Sequence, residues 1–167
     1  SALLTVAYNP DGTDHFVDWD SHHRQYVSDS VSAQNVSGTV KAQFQCRELN
    51  AANNLFLTLK VFVVDAAGTA IKETLLAITR KTTELATAIT NRSFAATSLT
   101  AADLEANDRI VVEIGIGGLP TAAGGANTHN GEMRWGGSAA GGDLAENETE
   151  TGLTFRNAIR LIAAASA

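Results

Sequence analysis

Charged residues are scarce in this sequence. They make up 18% of its 167 residues, and only 12 Lys and Arg stand against 18 Asp and Glu. Phosphate binding depends on clustered Lys and Arg, and no such cluster is found, so we expect no nucleic-acid partner. A net charge of −6 still allows docking on a basic protein surface. A neutral polar surface suits a protein covered by neighbours or one that lives outside the cell.

Cysteine and long apolar runs are also lacking. Cys46 is the only cysteine, so the chain has no intrachain disulfide, and a lone thiol within an alternating strand is most simply a small core residue. No apolar run approaches the roughly 20 residues that span a bilayer, and the first residues lack the basic and then apolar pattern of a signal peptide. We therefore expect no membrane partner.

The clearest pattern lies in residues 104–117, where a polar turn leads into an apolar run. Ile110, Val112, Ile114 and Ile116 share one parity, and only Val111 breaks the alternation of a half-buried strand. The pattern predicts a strand with these four isoleucine and valine side chains in the core.

Three further segments predict strands. Residues 36–47 alternate between apolar and polar side chains, which indicates one core face and one wet or partner-bound face. Residues 55–64 carry apolar side chains on both faces, which indicates a central strand or an outer face that is itself covered. Residues 65–68 form a tight turn to residues 69–79, and this pair is predicted as a hairpin.

Other segments carry weaker signals. Residues 3–8 and 94–99 predict short strands, residues 132–135 another, and residues 152–162 the last one. Residues 80–84 are expected to form a charged turn, and the β-branched side chains in residues 84–91 favour strand over helix. Residues 100–103 have the spacing of a capping box and are expected to cap at most one helical turn.

The number of short strands sets the fold class. About eight to ten segments joined by Gly, Asn and Asp turns, with no long amphipathic helix, predict an all-β fold built as an antiparallel β-sandwich. Jelly-roll topology is favoured slightly over an immunoglobulin-like one. Residues 1–30 are predicted to be an extended N-terminal arm, and residues 31–167 the sandwich domain. Phe16, Trp19 and Tyr26 are expected to anchor the arm on a partner.

The segment richest in possible metal ligands is residues 11–23, which contains four Asp and three His. Its spacing matches neither a calcium loop, which needs a ligand at every second position and a closing Glu, nor a zinc motif. We expect no metal and no other cofactor. The chain also lacks a Gly-x-Ser-x-Gly elbow, and Pro120 follows the glycines of residues 115–118 where a dinucleotide site needs a helix. No catalytic residue is predicted, and the default reading is that the protein is not an enzyme.

Aromatic and basic residues near residue 130 offer a different possibility. Arg134 and Trp135, with His129 nearby, could form part of a sugar-stacking surface, although a Trp flanked by glycines is more often a core anchor. A carbohydrate- or receptor-binding β-sandwich, such as a tail-associated module, is therefore the alternative function.

A resemblance rests on several of these segments taken together. Residues 108–115, a Gly- and Thr-rich loop, a strand ending in Trp135-Gly136-Gly137, Asp143-Leu144 and a final strand resemble a group of β-sandwich virion proteins of tailed bacteriophages. The resemblance covers roughly residues 36–162. The last strand lacks the Trp typical of the group, and the first 30 or so residues have no counterpart in it.

The resemblance implies a structural role on a virus particle. It implies a capsid decoration or cement protein, or a minor head component, that binds the major capsid protein and forms a homotrimer or another symmetric homo-oligomer. The expected location is the capsid surface of the virion, after synthesis in the host cytoplasm. The arm is then expected to contact the major capsid protein or a sister subunit.

Overall fold

A computed structural model of the chain describes residues 19–118, 131–134, 154–155 and 159–163. These residues are all-β: they form antiparallel sheets and contain no helix. The strands are β1 (Trp19–Val27), β2 (Gln34–Val36), β3 (Gly38–Glu48), β4 (Leu55–Val64), β5 (Ile71–Glu84), β6 (Thr90–Ser98), β7 (Ala102–Leu104), β8 (Arg109–Gly118), β9 (Gly131–Arg134), β10 (Thr154–Phe155) and β11 (Ile159–Ala163). The prediction of an all-β fold is confirmed.

The first large sheet is built around the two most apolar strands of the sequence. Its order is β1-β8-β4-β5, so β8 and β4 are central and β1 and β5 are the outer strands among those described. β4 pairs with β8 along its whole length, from Leu55 opposite Gly118 to Val64 opposite Arg109. β4 is buried along nearly its whole length, as its apolar side chains on both faces predicted.

The second large sheet surrounds β3. Its order is β10-β11-β3-β6, and β9 pairs with the second half of β3. A small third sheet pairs β2 with β7. The alternating segment of residues 36–47 thus lies at the centre of the second sheet as β3, where Val40, Ala42 and Cys46 are fully buried.

One hydrophobic cluster joins the sheets. From the first sheet it takes alternate side chains of β4 and β8, which are Leu55, Leu57, Leu59, Val61, Val63, Ile110, Val112, Ile114 and Ile116. From the second it takes Val40, Ala42, Cys46 and Phe94, and from the small sheet Val36 and Leu104. The four core side chains predicted for β8 are therefore confirmed. The face that these side chains define is called the inner face below, and the opposite face of the first sheet the outer face.

The hairpin between β4 and β5 forms at the predicted turn. The carboxylate of Asp65 accepts hydrogen bonds from the Thr69 N–H at 2.7 Å, the Thr69 hydroxyl at 2.9 Å and the Ala70 N–H at 3.3 Å. Gly68 has a φ of 71°, a left-handed conformation that glycine adopts without a Cβ penalty. These contacts hold the carboxylate ionised and keep the pKa of Asp65 below its usual range.

Four local predictions differ from the structure. Residues 80–84 were expected to form a turn, but they continue β5 because they still pair with β4, Arg80 opposite Thr58 and Glu84 opposite Phe56. The loop comes later, between β5 and β6, where a strand was expected. Residues 102–104 form strand β7 where a helical cap was expected, since pairing with β2 satisfies their backbone groups. The predicted last strand is divided into β10 and β11.

Part of the segment predicted to be an arm belongs to the first sheet. β1 pairs with β8 from Trp19 opposite Gly118 to Val27 opposite Val111, with an irregularity between His22 and Arg24. Residues 1–18 lie outside the described part of the chain. The division into an arm and a domain at residue 30 stays a prediction.

Candidate functional site

The outer face of the first sheet carries apolar side chains where an antiparallel sheet is ordinarily polar. Phe62, Val64 and Val111 form a second hydrophobic cluster, separate from the main one. Val27 lies opposite Val111 on one side, and Ile71 lies opposite Val64 on the other. We call these five residues the outer strip. It crosses the sheet from β1 to β5, at the end where β1 and β4 finish.

Exposure differs sharply along the outer strip. Phe62 and Val111, at its centre, are 4% and 2% exposed. Val27 and Ile71, at its two ends, are 47% and 56% exposed and are among the large apolar side chains that remain accessible in the described residues. Large contiguous accessible apolar patches mark surfaces that bind other polypeptides, and the accessible apolar area of the outer strip is confined to these two side chains at its ends.

A polar row borders the outer strip one step along the sheet. Gln25, Glu113 and Lys60 lie side by side on β1, β8 and β4. The Gln25 amide donates to Glu113 Oε1 at 3.1 Å, and Lys60 Nζ lies 4.0 Å from Glu113 Oε2. Lys60 Nζ also lies 4.8 Å from the centroid of the Phe62 ring, within the range of a cation–π contact. The Lys60 ammonium therefore connects the polar row to the outer strip.

A second polar cluster lies at the same end of the molecule, where the β4–β5 hairpin meets the turn before β8. Lys72 Nζ lies 2.7 Å from Glu105 Oε2 and 3.0 and 3.1 Å from the two Asp108 oxygens. Asp108 also accepts the Glu105 N–H at 2.8 Å. The hydrogen bond from Lys72 is the main cause that lowers the pKa of Asp108. The hydrogen bonds to Glu105 and then to Asp108 raise the pKa of Lys72. The Lys72 ammonium and the Asp108 carboxylate thus bind to each other and to Glu105, and these contacts hold the turn before β8.

The opposite end of the main core contains buried polar groups of β3 and β6. Glu48 is 2% exposed, and its Oε2 accepts the Leu55 N–H at 3.3 Å. Burial raises the pKa of Glu48, the Leu55 N–H lowers it, and the nearby Glu84 carboxylate raises it further. Burial likewise raises the pKa of the Cys46 thiol to about 11, against a smaller opposing effect of Arg92. The thiol is therefore protonated at neutral pH and is a poor nucleophile.

Two donors beside Cys46 lack a hydrogen-bond acceptor. They are the buried Arg92 Nε and Thr90 Oγ1 atoms. Another atom of the same guanidinium, Arg92 Nη2, donates to the Glu84 carbonyl oxygen at 3.2 Å. A buried water molecule is the ordinary partner for such a pair. Among the residues that the structure describes, no group of three or more His, Cys, Asp or Glu side chains is arranged to hold a metal ion.

The structure describes only some of the residues that the sequence analysis selected. Phe16, His129 and Trp135 lie outside the described residues. The backbone of Trp19 begins β1, and that of Arg134 ends β9 opposite Gln45. Tyr26 is half-buried and packs against the main hydrophobic cluster, with the Arg24 guanidinium 5.9 Å from its ring centroid. Burial raises the pKa of Tyr26, and Arg24 opposes this. The binding roles predicted for these residues stay predictions.

The outer strip was not predicted as a site from the sequence, although the sequence contains a signal for it. Val111 broke the alternation of β8, and Phe62 and Val64 placed apolar side chains on the second face of β4. Read separately, these were irregularities of two strands. The register places Phe62 directly opposite Val111, so that they form one surface.

Comparison of the chain with protein-family models, with curated proteins and with solved structures finds no match. No helix in the described part of the chain is long and apolar enough to cross a membrane.

Proposed function

We propose that the chain is a non-enzymatic structural protein of a virion, a capsid decoration or cement protein that binds and stabilises the lattice of the major capsid protein. The outer strip is the observation that carries this proposal. A decoration protein needs accessible apolar side chains that become buried on its partner, and Val27 and Ile71 supply two of them at the ends of the strip. Its location would be the capsid surface, after synthesis in the host cytoplasm.

The same proposal includes the finer architecture. We infer that the two large sheets pack face to face as a β-sandwich, because alternate side chains of β4 and β8 share one cluster with those of β3 and β6. Jelly-roll topology and assembly into a homotrimer or another symmetric homo-oligomer belong to this proposal. Burial of the outer strip on a partner would add stability to the folded chain by linkage.

Co-sedimentation with capsids tests the proposal. Purified chain is mixed with capsids of the encoding phage that lack it, and the bound fraction is measured after centrifugation. The unchanged chain is expected to sediment with the capsids. Val27→Asp is expected to weaken binding at least tenfold, because it places a carboxylate on the exposed end of the outer strip.

Ser98→Asp is the matched control. Ser98 is exposed on β6 of the second sheet, so the substitution adds the same charge away from the outer strip. Capsid binding by this variant is expected to equal that of the unchanged chain. Failure of the unchanged chain to sediment with capsids would refute the proposed function, and equal weakening by both variants would refute the assignment to the outer strip.

A further inference from the structure

Glu48, the last residue of β3, joins three segments of the chain. Its N–H donates to the Ala86 carbonyl oxygen at 3.0 Å, in the loop of residues 85–89 between β5 and β6. Its side-chain Oε2 accepts the Leu55 N–H at 3.3 Å, at the start of β4. The Leu55 carbonyl oxygen in turn accepts the Leu85 N–H at 2.7 Å. We call these three hydrogen bonds the Glu48 junction, and they hold the β5–β6 loop to β3 and β4.

The Glu48 junction is closed off from solvent. Glu48 and Leu85 are each 2% exposed, and Leu55 is fully buried. Leu85 and Leu55 both belong to the main hydrophobic cluster. On β9, Gly131 lies opposite Glu48, and a Cβ there would lie 2.9 Å from Leu55 Cδ1, so β9 packs closely on the junction. The Glu48 carboxylate has therefore exchanged its hydration for a hydrogen bond of 3.3 Å, and its ionisation costs free energy.

The charged groups around the junction do not compensate an ionised Glu48. On β3, the neighbouring Arg47 pairs with Glu132 of β9 at 2.7 Å. On β6, Arg92 Nη2 donates to the Glu84 carbonyl oxygen at 3.2 Å. The Glu84 carboxylate, at the end of β5, adds a like charge. Within the part of the chain that the structure describes, no Lys or Arg forms an ion pair with Glu48.

The remaining surroundings of Glu48 are uncharged. The β3–β4 turn, residues 49–54, and the β5–β6 loop contain no Asp, Glu, Lys, Arg or His. Cys46 lies two residues earlier on the same face of β3, and burial raises the pKa of its thiol to about 11, so it is neutral at pH 7. Burial also raises the pKa of Glu48, the Leu55 N–H opposes this, and the Glu84 carboxylate adds to the rise. The closed junction therefore favours protonated Glu48.

We propose that the Glu48 junction is a pH-sensitive latch: protonated Glu48 holds the β5–β6 loop against the core, and ionised Glu48 shifts the loop and Leu85 toward a detached state. Detachment lets the carboxylate reach water, which removes the cost of burying its charge. Because the closed state has the raised pKa, the latch is closed below the ordinary Glu pKa and weakens as the pH rises through the raised value. The latch does not depend on the proposed function.

Amide hydrogen exchange of the full-length chain, followed residue by residue by NMR, tests the latch. The protection of each amide is taken relative to an unstructured peptide at the same pH. Between pH 4 and pH 8, the protection of the Leu55 and Leu85 amides is expected to fall at least about fivefold, because both amides donate within the junction. The Leu59 amide, in the middle of β4, is expected to stay at least about tenfold better protected than both. Unchanged protection of Leu55 and Leu85 would overturn the proposal. Protection equal to that of Leu59 would also overturn it, because the opening would then be global unfolding.

Two variants assign the pH dependence to Glu48. Glu48→Gln keeps an oxygen acceptor for the Leu55 N–H but cannot ionise, so the Leu85 amide is expected to keep its protection within about twofold from pH 4 to pH 8. Glu73→Gln removes a carboxylate from the exposed part of β5 and is expected to leave the fall in protection unchanged. A fall in Glu48→Gln as large as that in the unchanged chain would refute the latch.

A third variant keeps Glu48 in place, so the test does not depend on the folding of Glu48→Gln. Glu84→Gln removes the like charge that raises the pKa of Glu48. The fall in protection of the Leu55 and Leu85 amides between pH 4 and pH 8 is therefore expected to be smaller than in the unchanged chain. An equal or larger fall would overturn the charge balance on which the latch rests.

Discussion

At the scale of single residues, the buried carboxylate of Glu48 sets a pH dependence. Its pKa is raised in the folded chain, so the stability linked to its protonated form is complete below the ordinary Glu pKa and is lost as the pH rises through the folded value. Raising the pH to 7 therefore costs the folded chain stability. Glu48→Gln is expected to increase the free energy of unfolding at pH 7 by on the order of 1 kcal/mol, and the gain is expected to shrink in acid.

Chemical denaturation of both proteins at pH 4 to 8 measures this effect. Glu73→Gln is the control, because Glu73 is exposed on β5 and loses the same charge without burial. It is expected to change the stability by less than about 0.5 kcal/mol at any of these pH values. A Glu48→Gln variant that is less stable than the unchanged chain at pH 7 would show that the ionised carboxylate has a stabilising partner.

At the scale of strands and turns, β9 packs closely on the first sheet through Gly131. A Cβ at this position would lie 2.9 Å from both Ile116 Cδ1 and Leu55 Cδ1. Both atoms are the ends of side chains that can shift, so Gly131→Ala is expected to destabilise the chain by about 1 kcal/mol, the low end of the cost of overpacking.

A double-mutant cycle identifies the cause. Ile116→Val removes one of the two Cδ1 atoms that the new methyl group would meet, so Gly131→Ala is expected to cost at least about 0.5 kcal/mol less in that background. Thermal denaturation of the four proteins gives the coupling energy. Equal costs in both backgrounds would mean that the loss does not arise in the contact with Ile116.

The turn before β8 depends on Asp108, whose side chain is 5% exposed and accepts hydrogen bonds from Lys72. Its pKa is lowered in the folded chain, so its contribution to stability is present above the ordinary Asp pKa and is lost as the pH falls through the folded value. Asp108→Asn is expected to lower the melting temperature at pH 7, and the difference from the unchanged chain is expected to narrow in acid.

Glu105→Gln is the matched comparison for Asp108→Asn. Glu105 contacts the same Lys72 but is 81% exposed, so solvent screens the pair and little stability is lost. Melting curves at pH 7 and pH 3 measure both variants. An equal loss in the two variants would show that the burial of Asp108 does not matter.

Periodicity predicted the strands of the core but not the extent of β5. In β3, alternation follows from burial of one face, and in β8 the inner isoleucine and valine side chains share one parity, so the core positions could be read from the sequence. β5 carries few buried side chains, and it continues through Arg80 and Lys81 because its backbone pairs with β4. Pairing partners distant in sequence are set by tertiary structure, which no local pattern contains.

At the scale of the whole molecule, the shared core predicts cooperative unfolding. Leu59 of the first sheet and Val40 of the second lie in one cluster. Leu59→Ala and Val40→Ala are each expected to lower the midpoint of one common transition. Leu59→Ala is expected to lower the free energy of unfolding by about 2–5 kcal/mol. Calorimetry gives the calorimetric enthalpy and circular dichroism the van't Hoff enthalpy, and the two are expected to be equal. Two separated transitions would contradict a shared core.

The candidate site could be predicted only in part, because it is a property of register. Apolar side chains on the outer face of β4 and the irregular Val111 were visible in the sequence. Their meeting with Val27 and Ile71 depends on which residues face one another across four strands. Only the folded sheet brings them together.

The register of β5 has a consequence for the sheet edge that this strand forms. β5 is an outer strand of its sheet among those described, and its pairing with β4 is interrupted at four places. Such irregularities twist the free edge, so that a neighbouring copy cannot align its backbone along it. Backbone pairing of two copies along β5 is thereby disfavoured, and contacts at this edge are left to side chains.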